Sequence, residues 1–216
     1  MTTLHIDIVS DIACPWCAIG YARLEQAMDQ VAGECNFTVS WHPFELNPDK
    51  DADGEPILQA LSRKYGRSPE EMEKAQNDMA AIAHELGLNF EHMQERYTRN
   101  TFNAHRLVMW AGEQNRQTEM KKAFFEAYFG RAADISDDGV LLECVAAIGL
   151  DTGEARRVLD EGDFAEAVRK EEAYYQKAGI SAVPAYVINQ QYLISGAQEP
   201  DYLVQAFRDI QAGTAA

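Results

Sequence analysis

The sequence predicts an α/β fold in which both ends of the chain build a small sheet and a long all-helical block is inserted between them. Three observations predict it. An apolar run, Leu4-His5-Ile6-Asp7-Ile8-Val9, leads directly into a helical pattern. From about Pro56 to Ala178 there are repeated helix start and stop signals and no convincing strand. After Gly179 the β pattern returns, as two short runs followed by a terminal helix. The order is therefore β-α-β, helices, β-β-α. Residues 1–55 and 179–216 are expected to form the sheet-bearing domain, and residues 56–178 the helical insertion.

Each element has a local reason. Leu4 to Val9 is short and rich in β-formers, and Trp16 to Ala32 reads as a helix closed by Gly33. Phe37-Thr38-Val39-Ser40-Trp41-His42 alternates apolar and polar side chains; Pro43, Pro48 and the acidic stretch Asp49 to Glu55 then mark a long loop. In the helical block, Ser68-Pro69-Glu70-Glu71 supplies an N-cap, a proline at the first helical position and a capping-box glutamate. Met72, Ala75, Met79, Ile82 and Leu86 follow as one apolar stripe ending at Gly87. Further helices are expected over Asn103–Gln114, Glu119–Gly130, Gly139–Ile148 and Phe164–Ala178, the last with Asp163 and Glu166 as its cap. Ala185–Ile188 and Gln191–Ile194 form a hairpin around Asn189-Gln190, and Glu199–Gln211 is the terminal helix. Asparagine tolerates positive φ and glutamine does so less well, which leaves the turn type open. No fixed-period repeat or low-complexity linker separates the helical block from its flanks, so it is expected to pack on the sheet.

Composition excludes several function classes. The chain has 216 residues, is 46% hydrophobic and carries a formal charge of −16. That charge argues against nucleic acid or anionic membrane as a partner, since both attract Lys and Arg. No basic segment leads into an apolar h-region, and no stretch reaches the roughly 18 apolar residues of a membrane span. A cytoplasmic protein is expected. In that compartment a close cysteine pair is catalytic or redox-sensing more often than a permanent staple.

Such a pair is present as Cys14-Pro15-Trp16-Cys17, at the junction of the first strand and helix. This position sets the first sulfur at the positive end of the helix, over unpaired N–H groups that favour thiolate. The second sulfur lies one turn inward, able to attack a mixed disulfide. A zinc site would need a second close pair, but Cys35 and Cys144 stand alone and His5, His42, His84, His92 and His105 lack paired ligand spacing. No metal is expected, and Cys35 and Cys144 read as small buried residues. Pro15 stiffens the first turn, Trp16 adds an apolar neighbour, and no cation stands between the cysteines. Asp7 interrupts an apolar strand and must be neutral, hydrogen-bonded or paired there. Pro184 precedes a strand whose ladder it cannot join. His105 and Arg106 begin an apolar helix, where a lone histidine is usually a packed side chain and an arginine caps or pairs with an acid.

Ser10-Asp11-Ile12-Ala13-Cys14-Pro15-Trp16-Cys17, Asn103-Ala104-His105-Arg106, and Val183-Pro184 with Ser195-Gly196-Ala197-Gln198 resemble the DsbA-like thioredoxin-fold family. More narrowly, they resemble its cytoplasmic FrnE-type branch, and the likeness covers nearly the whole chain. The resemblance implies a thioredoxin fold split by a helical domain, in agreement with the element order. It implies a thiol–disulfide oxidoreductase or isomerase in which Cys14 is the exposed nucleophile and Cys17 resolves the mixed disulfide. It further implies a cis Val183-Pro184 peptide bordering the substrate, a proton-relay role for Asp7 towards Cys17, and His105 near the substrate groove. The implied partners are disulfide-containing proteins or peptides, with no tightly bound cofactor beyond a Cys14–Cys17 redox disulfide, and with glutathione as reductant or co-substrate. No feature of the sequence sets an oligomeric state.

A second class stays open. Hydroxychromene-carboxylate isomerases and kappa-class glutathione transferases share this fold and insertion, and generally use serine at the nucleophilic position. The kappa class has a Gly-Ser-Asp turn where this chain has Gly196-Ala197-Gln198. Gln198 would therefore meet the glutathione amino group with a neutral hydrogen bond instead of a carboxylate.

Overall fold

In the computed structural model, which describes residues 2–49 and 54–215, Thr2–Ser10 (β1) is an inner strand of a four-stranded sheet. Pro15–Gln30 (α1) carries the chain over to Cys35–Pro43 (β2), which lies parallel to β1 with Leu4 opposite Phe37 and Ile8 opposite Trp41. From the far end of the chain, Ala185–Ile188 (β3) pairs antiparallel with β1, and Tyr192–Ser195 (β4) closes the edge, giving the order β2-β1-β3-β4. Period-2 alternation explains the two faces. Leu4, Ile6 and Ile8 are buried in the main core with Ala18, Ile19 and Leu24 of α1, whereas Val9 joins Tyr175, Ile180 and Ala185 in a second cluster. At the hairpin, Asn189 and Gln190 have φ of 51° and 57°, so both central residues are left-handed as a type I′ turn requires. The Asn189 side chain accepts the His5 amide at 3.0 Å and its own N–H donates to the His5 carbonyl at 2.8 Å, which anchors the turn to β1.

Between β2 and β3 run Ile57–Tyr65 (α2), Pro69–Glu85 (α3), Phe102–Gly112 (α4), Gln117–Phe125 (α5), Asp138–Ala147 (α6), Thr152–Glu161 (α7) and Ala165–Lys177 (α8); Pro200–Ala212 (α9) ends the fold. One continuous apolar cluster joins Ile8 of β1 and Ala18 of α1 to Leu107, Phe124, Leu141 and Val158 of the helices. The capping box at Ser68 and Glu71 is formed in both directions. The helix behind it is turned from the expected stripe: Met72, Gln76 and Ala83 are its buried residues, while Met79, Ile82 and Leu86 pack at the margin.

Three further expectations need correction. The expected single helix to Gly130 widens into a π-helical turn over Glu126–Gly130, where Gly130 leaves room for a 2.9 Å hydrogen bond from Asn89 to Glu126. Asp163 does not cap α8. Its carboxylate meets Arg157 and its carbonyl accepts Arg106, so the helix starts from Phe164 in a left-handed conformation, φ 62°. Helix α7 was not anticipated, although Asp151 caps it by accepting from Gly153 and Glu154 at 2.7 and 3.0 Å and Gly162 closes it. Within the expected acidic loop, residues 50–53 lie outside the described residues. Among the described residues no helix is long and apolar enough to cross a membrane.

Candidate active site at the start of α1

Strand β1 ends in a buried loop that delivers Cys14 to the N-cap of α1, with φ −92° and ψ 110°, and Pro15 occupies the first helical position, where a missing N–H costs nothing. The Cys14 side chain makes no hydrogen bond to the first helical turn. It turns instead to the Val183 carbonyl, 3.6 Å from Sγ. Val183-Pro184 is cis, and the Pro184 carbonyl accepts the Gly196 amide at 2.8 Å, tying this segment to the end of β4. Cys14 and Cys17 are both free thiols. The expected exposure of Cys14 is corrected: the cysteines are 5% and 1% accessible, because the Val183-Pro184 segment and the buried loop close around them, and Trp16 between them is the open residue at 39%.

The surroundings of Cys17 hold its thiol well above the ordinary range. Burial is the main cause and Cys14 adds to it, while the charge of Lys121 on α5 and the Asp11 backbone amide pull the other way. Tyr186 of β3 also faces the pair; its hydroxyl is buried without a hydrogen-bond partner, and burial pushes it up. Gly20 of α1 makes this approach possible. A Cβ there would collide with the Tyr186 hydroxyl and come within 3.1 Å of the Ala197 Cβ.

Sequence reasoning missed Asp11. Fully buried, it is the organiser of the loop: Oδ1 accepts Ala13 N–H at 3.3 Å and lies 3.3 Å from His105 Nε2, and Oδ2 accepts Leu46 N–H at 2.8 Å. Its backbone carbonyl accepts the Cys14 amide at 3.3 Å. Burial raises the carboxyl, but the bond from His105 and those from Leu46 and Thr101 outweigh it and hold the group below the usual range. His105 is itself lowered by burial. Its Nε2 faces two acceptors, Asp11 and the Phe44 carbonyl at 3.2 Å, so neutral His105 carries its proton on Nε2. An acid placed between an apolar strand and a Cys-X-X-Cys was the available signal for this pair.

Other expected site residues are placed elsewhere. His105 is 2% exposed and supports the loop instead of lining a groove. Asp7 is not beside Cys17: alternation along β1 turns it to the face opposite Ile6 and Ile8, where it lies 3.2 Å from His42 Nε2. Gln198 donates its amide to the Ser195 carbonyl at 2.7 Å, closing its own loop. Arg106 holds the end of α7, donating to the carbonyls of Val158, Leu159 and Asp163. Cys35 and Cys144 are buried, with sulfurs 4.0 and 3.8 Å from the carbonyls of Val31 and Ala123. Among the described residues no group of three or more His, Cys, Asp or Glu side chains could hold a metal ion.

Comparison with known proteins places this geometry. The DSBA-like thioredoxin domain matches residues 5–208. Among solved structures, the probable DsbA oxidoreductase SCO1869 from Streptomyces coelicolor is 32% identical over 99% of this chain and 92% of its own, with a TM-score of 0.88. A 2-hydroxychromene-2-carboxylate isomerase shares the fold at 12% identity over 98% of this chain and all of its own, with a TM-score of 0.73. The cytosolic disulfide reductase DsbM from Pseudomonas aeruginosa, solved with GSH, shares it at 19% identity over 98% and 99% of the two chains, with a TM-score of 0.63.

Proposed function

This chain belongs to the DSBA-like thioredoxin domain family, and from that premise we propose that it catalyses thiol–disulfide exchange through Cys14 and Cys17. The observation that carries this reading is the convergence of Cys14, at the start of α1, and the Val183-Pro184 segment at the entry to β3, with Val183 O 3.6 Å from the sulfur. In the first step Cys14 thiolate attacks a substrate disulfide, forming a mixed disulfide and expelling one substrate thiolate. Cys17 then attacks the Cys14 sulfur. The second substrate thiolate leaves, the substrate has gained two electrons, and the protein holds a Cys14–Cys17 disulfide. A small thiol such as glutathione reduces that disulfide and closes the cycle. An extended peptide lying along the Val183 backbone would bring its own cysteine to Cys14.

Reduction or isomerisation of disulfides in proteins or peptides, in the cytoplasm, fits the absence of a cation between the cysteines and accords with the cytosolic DsbM, which was solved with GSH. Glutathione-dependent isomerase or transferase chemistry has less support. The nucleophilic position is a cysteine backed by a second one, and Gln198 spends its amide on its own loop.

The test is to equilibrate the protein with a series of reduced-to-oxidised glutathione buffers, trap thiols by alkylation and weigh the products. The expected result is a reversible Cys14–Cys17 disulfide, lost in Cys14→Ser and replaced by a persistent glutathione adduct on Cys14 in Cys17→Ser. A pair that never closes while intact reduced glutathione binds would overturn the reading in favour of the isomerase or transferase.

A further inference from the structure

Lys121 is a charged side chain that the exchange reaction described above leaves unused. It lies on α5 and is 1% exposed. Its place is fixed by the preceding turn of the same helix, where Thr118 accepts the Trp41 indole N–H at 2.9 Å and Gln117 accepts the Trp41 backbone amide at 3.1 Å. The Lys121 ammonium sits 5.2 Å from the centre of the Trp41 ring and 5.3 Å from that of Phe125. Among the described residues it makes no ion pair or hydrogen bond. The titratable groups it faces are Cys17, Asp11 and Cys14, with His105 on α4 beside them. Asp11 is already committed to His105, Leu46 and Thr101. Aromatic faces offset part of the cost of burying a cation, but an unpaired one remains expensive, and such groups cluster at working sites.

We propose that Lys121 is the counter-charge under which Cys17 ionises to resolve the mixed disulfide. It rests on the reading that Cys14 and Cys17 carry the exchange. Lys121 acts through Cys17 and is a positioning residue. Burial and Cys14 both oppose the Cys17 thiolate, and Lys121 is the cation that favours it. The helical insertion thus supplies the positive charge that the Pro15-Trp16 dipeptide lacks. In the step itself, Cys17 gives its thiol proton to solvent base and its sulfur electron pair attacks Cys14 Sγ. The bond from Cys14 to the substrate sulfur breaks, and the substrate leaves as a thiolate that takes a proton from solvent. Burial holds Lys121 down at about 8, against the raising influence of Cys17, Asp11 and Cys14. The counter-charge is therefore present through neutral pH and fades above that value.

The experiment follows reduced full-length protein reacting with oxidised glutathione, acid-quenched and weighed over a range of pH. In the wild type the Cys14–glutathione adduct should pass to the internal disulfide without building up. In Lys121→Met the adduct should accumulate, with resolution about tenfold slower at neutral pH and its pH profile displaced upward by about one unit. Lys121→Arg, which keeps the charge, should restore the profile. A wild-type profile in Lys121→Met, or an equal defect in Lys121→Arg, would overturn the proposal in favour of a packing role. A wild-type protein that never closes the pair overturns the exchange reading and this inference with it, whereas closure with an unmoved Lys121→Met profile overturns this inference alone.

Discussion

His42 offers a sharp test of how the back of the sheet is held. Its Nδ1 lies 2.8 Å from Glu171 of α8 and its Nε2 3.2 Å from Asp7 of β1, with the ring 4.8 Å from that of Tyr175. Burial opposes the imidazolium, but the two carboxylates outweigh it and raise the group from 6.5 to about 9. The native protein therefore keeps a proton that the unfolded chain gives up. The stabilisation is fully present below pH 6.5 and is lost as pH rises through about 9. A rise of that size corresponds to about 3 kcal/mol at about 1.4 kcal/mol per unit, an upper bound. The Glu171 side chain is 33% exposed, so solvent screening reduces the expected contribution to about 1–2 kcal/mol. Urea unfolding of wild type and His42→Gln should be run from pH 6 to about 9.5. The difference between the two curves isolates His42 from Lys121, whose lowered native value makes stability rise with pH in this region, and from Cys17, whose raised value makes it fall. That difference should be about 1–2 kcal/mol at pH 6 and close towards zero by pH 9. Parallel curves across this range would refute the argument.

Two other substitutions probe the site's scaffold. Gly20→Ala should cost about 1–3 kcal/mol in thermal or urea unfolding, because its methyl group runs into the Tyr186 hydroxyl and Ala197. Adding Tyr186→Phe, which removes a hydroxyl that has no partner, should recover much of that loss; a double variant as unstable as the single one would place the conflict elsewhere. Asp11→Ala strands the Leu46 amide, leaves the His105 Nε2–H with the Phe44 carbonyl alone, and should cost about 3 kcal/mol. It should also flatten the acid limb of the stability curve, because a carboxyl held below its usual range stabilises above that range and ceases to do so as pH falls through its native value. Unchanged acid behaviour would show that Asp11 carries no net charge in the native loop.

The parts of the site that are legible in the sequence are those whose chemistry is local. Two cysteines one helical turn apart, a proline at the helix start and a proline at a strand entry each announce themselves within a few residues. The element order was also local, since hydrophobic period and capping residues mark it, as at Ser68 and Glu71. Asp11, Lys121 and Tyr186 were not legible, because each matters through burial against distant segments: His105 against the loop, Trp41 against α5, Gly20 against β3. Asp7 shows the difference most clearly. The alternation of Leu4, Ile6 and Ile8 already sets it on the other face of β1, but only the assembled sheet shows which face carries the cysteines. Helix α7 carried adequate signals in Asp151 and Gly162; its apolar residues Ala155, Val158 and Leu159 are too few to show a periodic stripe.

The sheet order has a consequence for how the protein is made. Strands β1 and β2 and helix α1 leave the ribosome early, yet β1 has a neighbour on its second edge only once β3 emerges, after the whole helical block. Until then a nearly complete nascent chain exposes the hydrogen-bonding edge of a strand carrying Leu4, Ile6, Ile8 and Val9, an invitation to wrong pairing. The same delay keeps Val183 away from Cys14. A chain stalled before residue 183 would hold both thiols without the segment that borders them, so synthesis itself postpones the assembly of the reactive centre to its final stretch.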